Sequence, residues 1–238
     1  DNTKIATPTD LRLSNVADIS VSDGAICVLL EADGGLACFG SDSDVQTNAP
    51  QFSEPIANVA SGFHHSCAVF ESGDVECWGE GNDGELGGDG TVDGLPSIKK
   101  VTLGGYHTCA LADSGTVWCW GDNEKGQLGV GNDQRPDEPV RVEDLERIID
   151  ISAGFTHTCA LSSAGAVTCW GDDGETYSQP QPTSIFGLAS GVEMISSGSY
   201  HTCALLESGE VQCWGMNNSG QLGDDSTESS VERVTVQF

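Results

Sequence analysis

The sequence predicts an all-β protein, a β-propeller of five four-stranded blades with one cross-strand disulfide in each. Three observations carry this. Ten cysteines fall into five pairs, Cys27/Cys38, Cys67/Cys77, Cys109/Cys119, Cys159/Cys169 and Cys203/Cys213, whose first members recur after 40, 42, 50 and 44 residues. A period of that size belongs to repeat architectures. Around each pair one pattern returns, as in GYHTCALADSGTVWCWG and GSYHTCALLESGEVQCWG, with a degenerate first copy SDGAICVLLEADGGLACFG. Short runs rich in Val, Ile, Ala, Cys and Trp alternate with glycine-bearing turns, and no stretch sustains a helical period.

The repeat cores are 16–40, 56–79, 98–121, 148–171 and 192–215 within a single domain spanning 1–238. In the fourth unit Ile149–Ala153, His157–Ser162 and Val167–Gly171 read as the first three strands, and a looser run after Pro180-Gln181-Pro182 as the fourth. Four-stranded units at this period suit propeller blades better than a solenoid. Pairing Cys67 with Cys77 leaves Glu71-Ser72-Gly73 at the hairpin tip, and the later tips are Asp113-Ser114-Gly115, Ser163-Ala164-Gly165 and Glu207-Ser208-Gly209. A three-residue loop ending in glycine is a type I turn with a bulge, glycine supplying the left-handed residue.

That register sets the two cysteines of each pair directly opposite, where α-carbons approach to about 4.5 Å, within reach of a disulfide. The competing reading, metal ligation, lacks the short ligand spacing of a zinc knuckle. Five bridges place the chain in an oxidising compartment: secreted, periplasmic or at a cell surface.

The 238 residues include 37 Asp and Glu against 9 Lys and Arg, a formal net charge of -28. Such a surface repels nucleic-acid backbones and anionic membranes, so neither is the expected partner. With 37% hydrophobic residues the chain is not disordered. No apolar run approaches a membrane span, and Asp1-Asn2-Thr3-Lys4 does not open a signal peptide, which reads as a mature or trimmed soluble product.

The segments Gly121-Asp122-Asn123-Glu124-Lys125-Gly126-Gln127-Leu128-Gly129 and Gly215-Met216-Asn217-Asn218-Ser219-Gly220-Gln221-Leu222-Gly223 resemble the signature of the regulator of chromosome condensation repeats, and 79–87 is a third copy with Glu85 in place of Gln. The resemblance implies a propeller of that family's type. It departs in three ways: familiar members have seven blades of longer units, the first and fourth units lack the Gly-Gln-Leu-Gly loop, and paired cysteines resemble secreted bacterial relatives rather than the nuclear exchange factor. The layout is similar to that of secreted β-lactamase-inhibitor propellers. Pro8–Leu13 and Val231–Val236 both read as fourth strands, so either the ends meet to close five blades or the blades belong to a larger chain.

His65, His107, His157 and His201 each stand two residues before a cysteine and opposite Gly79, Gly121, Gly171 and Gly215 in the hairpin register. A large ring over a residue without a side chain reads as packing, with a metal or proton site as the competing reading. Trp78, Trp120, Trp170 and Trp214, with Phe39 in the first unit, recur at one position and read as blade-to-blade core. The counterparts of Trp118 are Ala37, Glu76, Thr168 and Gln212, so it reads as an exposed anchor or as packing over Ala110.

The loops between first and second strands are the preferred site. Repetition places Phe63, His64, Tyr106, Phe155, Thr156, Ser199 and Tyr200 on one face near the axis, and an aromatic that shifts between two adjacent positions suits an exposed loop. Aromatics among Ser, Thr and His form a protein or glycan contact surface. The loops 80–85 and 89–93 carry carboxylates at a spacing that would suit calcium, though no EF-hand is present and a solvated surface is the simpler reading. Asn217-Asn218-Ser219 is a glycosylation sequon. No nucleophile elbow, phosphate loop or metalloprotease helix occurs. The expected function is therefore an exported binding module without catalysis or cofactor, an inhibitor or adhesin engaging its partner through Trp118 and the loop face; a structural module, calcium-stabilised, is the alternative.

Overall fold

The computed structural model describes residues 15–22, 25–30, 35–40, 50–136, 138–174 and 178–237. All its regular structure is β, arranged as five blades of a β-propeller. Blade 1 holds β1 (Val16–Val21), β2 (Ala25–Leu30) and β3 (Leu36–Gly40), and blade 2 holds β4 (Ile56–Ser61), β5 (His65–Phe70) and β6 (Val75–Gly79). Blade 3 consists of β7 (Ile98–Leu103), β8 (His107–Ala112), β9 (Val117–Gly121) and a short β10 (Val140–Arg141). Blade 4 runs through β11 (Ile148–Ala153), β12 (His157–Ser162), β13 (Val167–Asp172) and β14 (Ser178–Ser184). Blade 5 is β15 (Val192–Ser197), β16 (His201–Leu206), β17 (Val211–Gly215) and β18 (Ser230–Thr235).

The hairpin register matches the counted one. Cys67 faces Cys77, Val69 faces Val75, and the Phe70 N–H bonds to the Asp74 carbonyl, leaving three residues at the tip with Gly73 at φ +90°. All five disulfides form within their blades, Cys27–Cys38, Cys67–Cys77, Cys109–Cys119, Cys159–Cys169 and Cys203–Cys213, with α-carbons 4.0 to 4.1 Å apart. The cystines of blades 2, 3 and 4 belong to the core between blades. Cys169 and Cys213, on the third strands of blades 4 and 5, are each only 2% exposed, and Cys169 packs against Val192, Ile195 and Trp214 of the next blade. The alternation of the strand turns the Cys169 sulfur toward the blade-to-blade seam, away from solvent.

Every inner strand carries one bulge at the same place, between Ile98 and Lys100 in blade 3 and at the equivalent step elsewhere. The extra residue bends the strand. The fourth strand varies most. It is complete in blades 4 and 5, two residues long in blade 3, and reduced to a bridge between Glu76 and Thr91 in blade 2. In blade 4 it starts before the Pro180-Gln181-Pro182 run and includes both prolines. An outermost strand tolerates proline because one side of it needs no ladder donor. The run after Val231 is the fourth strand of blade 5, paired with β17, whereas Pro8–Leu13 and 41–49 lie outside the described residues.

The core lies between blades. The face of blade 2 with Cys67, Val69 and Val75 packs on Ile98, Val101 and Trp120 of blade 3. The same pairing joins blades 1 and 2, 3 and 4, and 4 and 5. Trp78, Trp120, Trp170 and Trp214 are buried as expected, whereas Phe39 is partly exposed.

Candidate partner-binding face

In blades 2 to 5 the loop between first and second strands starts with a glycine whose N–H bonds to the carbonyl of the histidine three residues on, from Gly62 to His65, Gly104 to His107, Gly154 to His157 and Gly198 to His201. The two residues between are lifted toward the axis. In blade 1 the Ser22 N–H bonds to the Ala25 carbonyl in the same way. Neighbouring loops are tied by backbone bonds, Phe63 N–H to Gly104 O at 3.3 Å, Gly105 N–H to Phe155 O at 2.9 Å and Phe155 N–H to Ser199 O at 2.8 Å. The face is thus a hydrogen-bonded arc spanning four blades.

The aromatic side chains on this arc converge. Phe63 and Phe155 meet edge to face with centroids 5.3 Å apart, Tyr106 stands 5.7 Å from Phe155, and Tyr200 lies 5.6 Å from Phe155 on the other side. His64 is stacked edgewise on Phe63 at 4.3 Å. These rings are half-buried. The aromatic takes the first loop position in blades 2 and 4 and the second in blades 3 and 5. Packing explains the alternation, in place of the exposure inferred from the sequence: a Cβ on Gly105 would strike the Phe155 ring at 2.9 Å. The small residue in one blade makes room for the large one in the next.

Carboxylates edge the cluster. The residue after the third-strand glycine donates its N–H to the aromatic loop, Glu80 to His64 O, Asp122 to Tyr106 O, Asp172 to Thr156 O and, in blade 5, Met216 to Tyr200 O. Thr156 returns its hydroxyl to Asp172 O at 2.6 Å. Burial, and then the charges of Glu80, Asp83, Glu85 and Asp122, push the Tyr106 phenol above its ordinary pKa. Arg135 draws Asp83, Asp122 and Glu124 together at 2.5, 2.7 and 2.9 Å. At the axis a cavity of about 280 Å³ is lined by Ser22, Gly62, Gly104, Gly154 and Gly198, one residue from each blade.

Other expected site residues fall elsewhere. Trp118 sits mid-strand on β9 between Ala110 and Arg141, in no ring contact with the loop aromatics, and its indole N–H is buried without a partner. Ser199 is exposed on the arc. The histidine rings lie beneath it, where each covers the glycine of its own loop, as His107 covers Gly104. The cross-strand glycines serve a different purpose from the one read in the sequence: a Cβ at Gly79 would strike the His64 carbonyl. Among the described residues no three His, Cys, Asp or Glu side chains gather to hold a metal ion. Asn217 is fully buried, accepting the Leu222 N–H and donating to Ser226 O, so its amide is not presented for glycosylation.

The signature loops act as blade-to-blade clamps, a role their spacing did not disclose. Gln127 O accepts from Trp170 Nε1 at 2.8 Å and from the Thr158 hydroxyl at 3.3 Å, both on the next blade. Glu85 O takes Trp120 and Thr108 in the same way. Asn123 holds the loop closed through Leu128 N–H.

Blade topology, the recurring Trp–loop clamp and the buried histidine define an RCC1-type propeller. Models described as Regulator of chromosome condensation (RCC1) repeat match residues 114–161 and, in four copies, 56–85, 98–127, 148–179 and 194–221, more than half of the sequence. The chain belongs to this repeat family. Among solved structures it is similar to human WBSCR16 (TM-score 0.82, 23% identity, 94% of this chain and 67% of that one). It is also similar to yeast RCC1 (Prp20) in its complex with Kap60 (TM-score 0.80, 21% identity, 94% and 61%). Prp20p from Saccharomyces cerevisiae, described with its binding properties to Gsp1p and histones, gives a TM-score of 0.79 at 22% identity over 94% and 63%. This chain therefore spans less than two thirds of the Prp20 structures. No curated protein sequence matches it. The five disulfides fit an oxidising, extracellular environment, and among the described residues no helix is long and apolar enough to cross a membrane.

Proposed function

We propose that the protein is an exported binding module, an inhibitor or adhesin, that engages a protein partner through its aromatic loop face. The observation that carries the reading is the cluster of Phe63, Tyr106, Phe155 and Tyr200, brought from four blades into mutual contact on a hydrogen-bonded arc. Half-buried aromatics on a rigid support lose little entropy on binding and make strong anchors. Yeast Prp20 offers a family precedent for protein partners. The disulfides support a secreted, periplasmic or cell-surface setting.

The test is capture. The oxidised protein is immobilised and exposed to secreted and envelope proteins and to a glycan panel, beside the Tyr106→Ala/Phe155→Ala double variant. A protein retained by the parent and lost by the double variant supports the reading. A partner kept by both, or a glycan alone, rejects it.

A further inference from the structure

The junctions that follow blades 2, 3 and 4 obey one rule. The cystine-bearing face of one blade packs on the tryptophan-bearing face of the next. The histidine of the second strand reaches a hydroxyl on the next blade, His65 to Thr108 at 2.7 Å, His107 to Thr158 at 2.9 Å and His157 to Thr202 at 2.9 Å. After blades 1, 3 and 4 an inner-strand hydroxyl also accepts a backbone N–H from the next blade, as Ser152 does from Ser197 at 2.8 Å.

Blade 5 presents the leading half of this junction with its partner half missing among the described residues. Cys203, Leu205 and Val211 are partly exposed, where their counterparts Cys159, Leu161 and Val167 are fully buried. The His201 ring is partly exposed and, among the described residues, meets no counterpart of the Thr hydroxyl that His157 reaches. Ser196, which stands where Ser152 stands in blade 4, is exposed. At the other end, Val16 and Ile19 are 43% and 58% exposed, against 3% and 1% for Ile148 and Ile151.

These two open faces are not complementary to one another. The position that meets the histidine is Ile26 in blade 1, which faces Phe39 as Thr158 faces Trp170 and carries no hydroxyl. The inner-strand position that joins neighbours through Lys100–Asp150 and Asn58–Asp18 is Met194 in blade 5, 56% exposed, so closure would set its thioether beside the Asp18 carboxylate. Self-closure and head-to-tail association of two copies bring the same mismatches.

We infer that the open face of blade 5 is a docking surface for a further blade of this repeat type, one carrying Ser or Thr in its second strand opposite the tryptophan position. Burying His201 against that hydroxyl extends to blade 5 the rule that the junctions after blades 2, 3 and 4 obey. An aliphatic residue there leaves the imidazole desolvated without a partner, which weakens docking roughly tenfold.

The experiment builds such a partner from full-length chains. An Ile19→Glu chain, altered only where blade 1 is exposed, offers blade 5 alone. An Ile26→Thr/Leu205→Glu chain offers a hydroxyl-bearing blade 1 alone, and Leu205→Glu serves as its aliphatic control. Cooperative thermal unfolding confirms that each is folded, and sedimentation velocity measures association. The expected result is a heterodimer of Ile19→Glu with Ile26→Thr/Leu205→Glu, about tenfold tighter than with the control. Adding His201→Phe to the Ile19→Glu chain then removes the difference. Equal binding by both donors, no binding by either, a preference that survives His201→Phe, or self-association of the parent chain as tight as the heterodimer would each overturn the inference.

Discussion

The imidazole Nε2 of His107 lies 2.9 Å from the Thr158 hydroxyl across the junction of blades 3 and 4. That hydroxyl has one hydrogen, and it points to the Gln127 carbonyl. The histidine is therefore the donor, protonated at Nε2 and neutral, with a bare Nδ1 buried without a partner. The same logic assigns His65, whose acceptor Thr108 donates to Glu85 O. A second proton would place an N–H in an apolar slot against the loop glycine.

Acid should destabilise the fold through these rings. Burial holds His65 and His107 at a pKa of about 3 and His157 at about 4, against an ordinary 6.5. Between those values and 6.5 the unfolded chain binds protons that the native state refuses, so stability is full above 6.5 and declines as pH falls toward 4. At about 1.4 kcal/mol per pH unit, each contributes a loss of about 2 kcal/mol by pH 5. Urea unfolding at pH 7 and pH 5 measures it, and His107→Gln should remove about a third of the decline. A decline of the same size in that variant would contradict the assignment.

Glu85 occupies the slot of Gln127 in the equivalent loop but leaves one carboxylate oxygen buried without a partner. Burial raises its pKa above the ordinary 4.5. A raised carboxylate pKa favours the fold below 4.5 and loses that contribution as pH climbs through the folded value. Glu85→Gln should therefore stabilise the protein at pH 7 by about 1 kcal/mol and do nothing, or slight harm, at pH 4. Thermal unfolding at the two pH values decides.

Two equivalent tryptophans should answer differently to the loss of the indole N–H. Trp170 Nε1 donates to Gln127 O, whereas Trp78 Nε1 is buried without an acceptor among the described residues, and the first unit's sequence has no Gly-Gln-Leu-Gly loop. Trp170→Phe should cost about 1 kcal/mol more than Trp78→Phe, the value of a buried hydrogen bond. Equal costs in denaturant titrations would mean the clamp contributes only packing.

The disulfides should not reduce together. Cys109, Cys119 and Cys159 are fully buried and Cys169 nearly so, whereas Cys38 and Cys203 are partly exposed. In blade 5 the approach is through Cys203, since its bridge partner Cys213 is itself buried. Mild reductant followed by alkylation and mass mapping should label the pairs of blades 1 and 5 first. Replacing Cys109 and Cys119 with alanine should cost about 2 to 3 kcal/mol through the freed unfolded chain.

Much of this architecture is legible in the residues. Counting from Cys109 to Cys119 sets the register, the glycine turn and the tryptophan position, because hairpin geometry is local and period-two alternation admits one pairing. The site is legible only in part. Tyr106 and Phe155 are identifiable as loop aromatics, but their edge contact depends on the curvature that brings blades 3 and 4 side by side. Trp118 resembles them in composition and lies apart because its strand position points it between Ala110 and Arg141.

The repeat, the blade count, the disulfide pairing and the oxidising setting are legible in the sequence alone, since the pairing rests on cysteines 10 or 11 residues apart and the rest on the recurrence of that one local pattern. The tertiary structure decided what passes between blades: the His–Thr bonds, the carbonyl clamp of Gln127 and Glu85, and the fitting of Phe155 onto Gly105. Those contacts join residues roughly 20 to 50 positions or more apart, and their partners are chosen by how the bulged inner strands bring successive blades together, which no local pattern encodes.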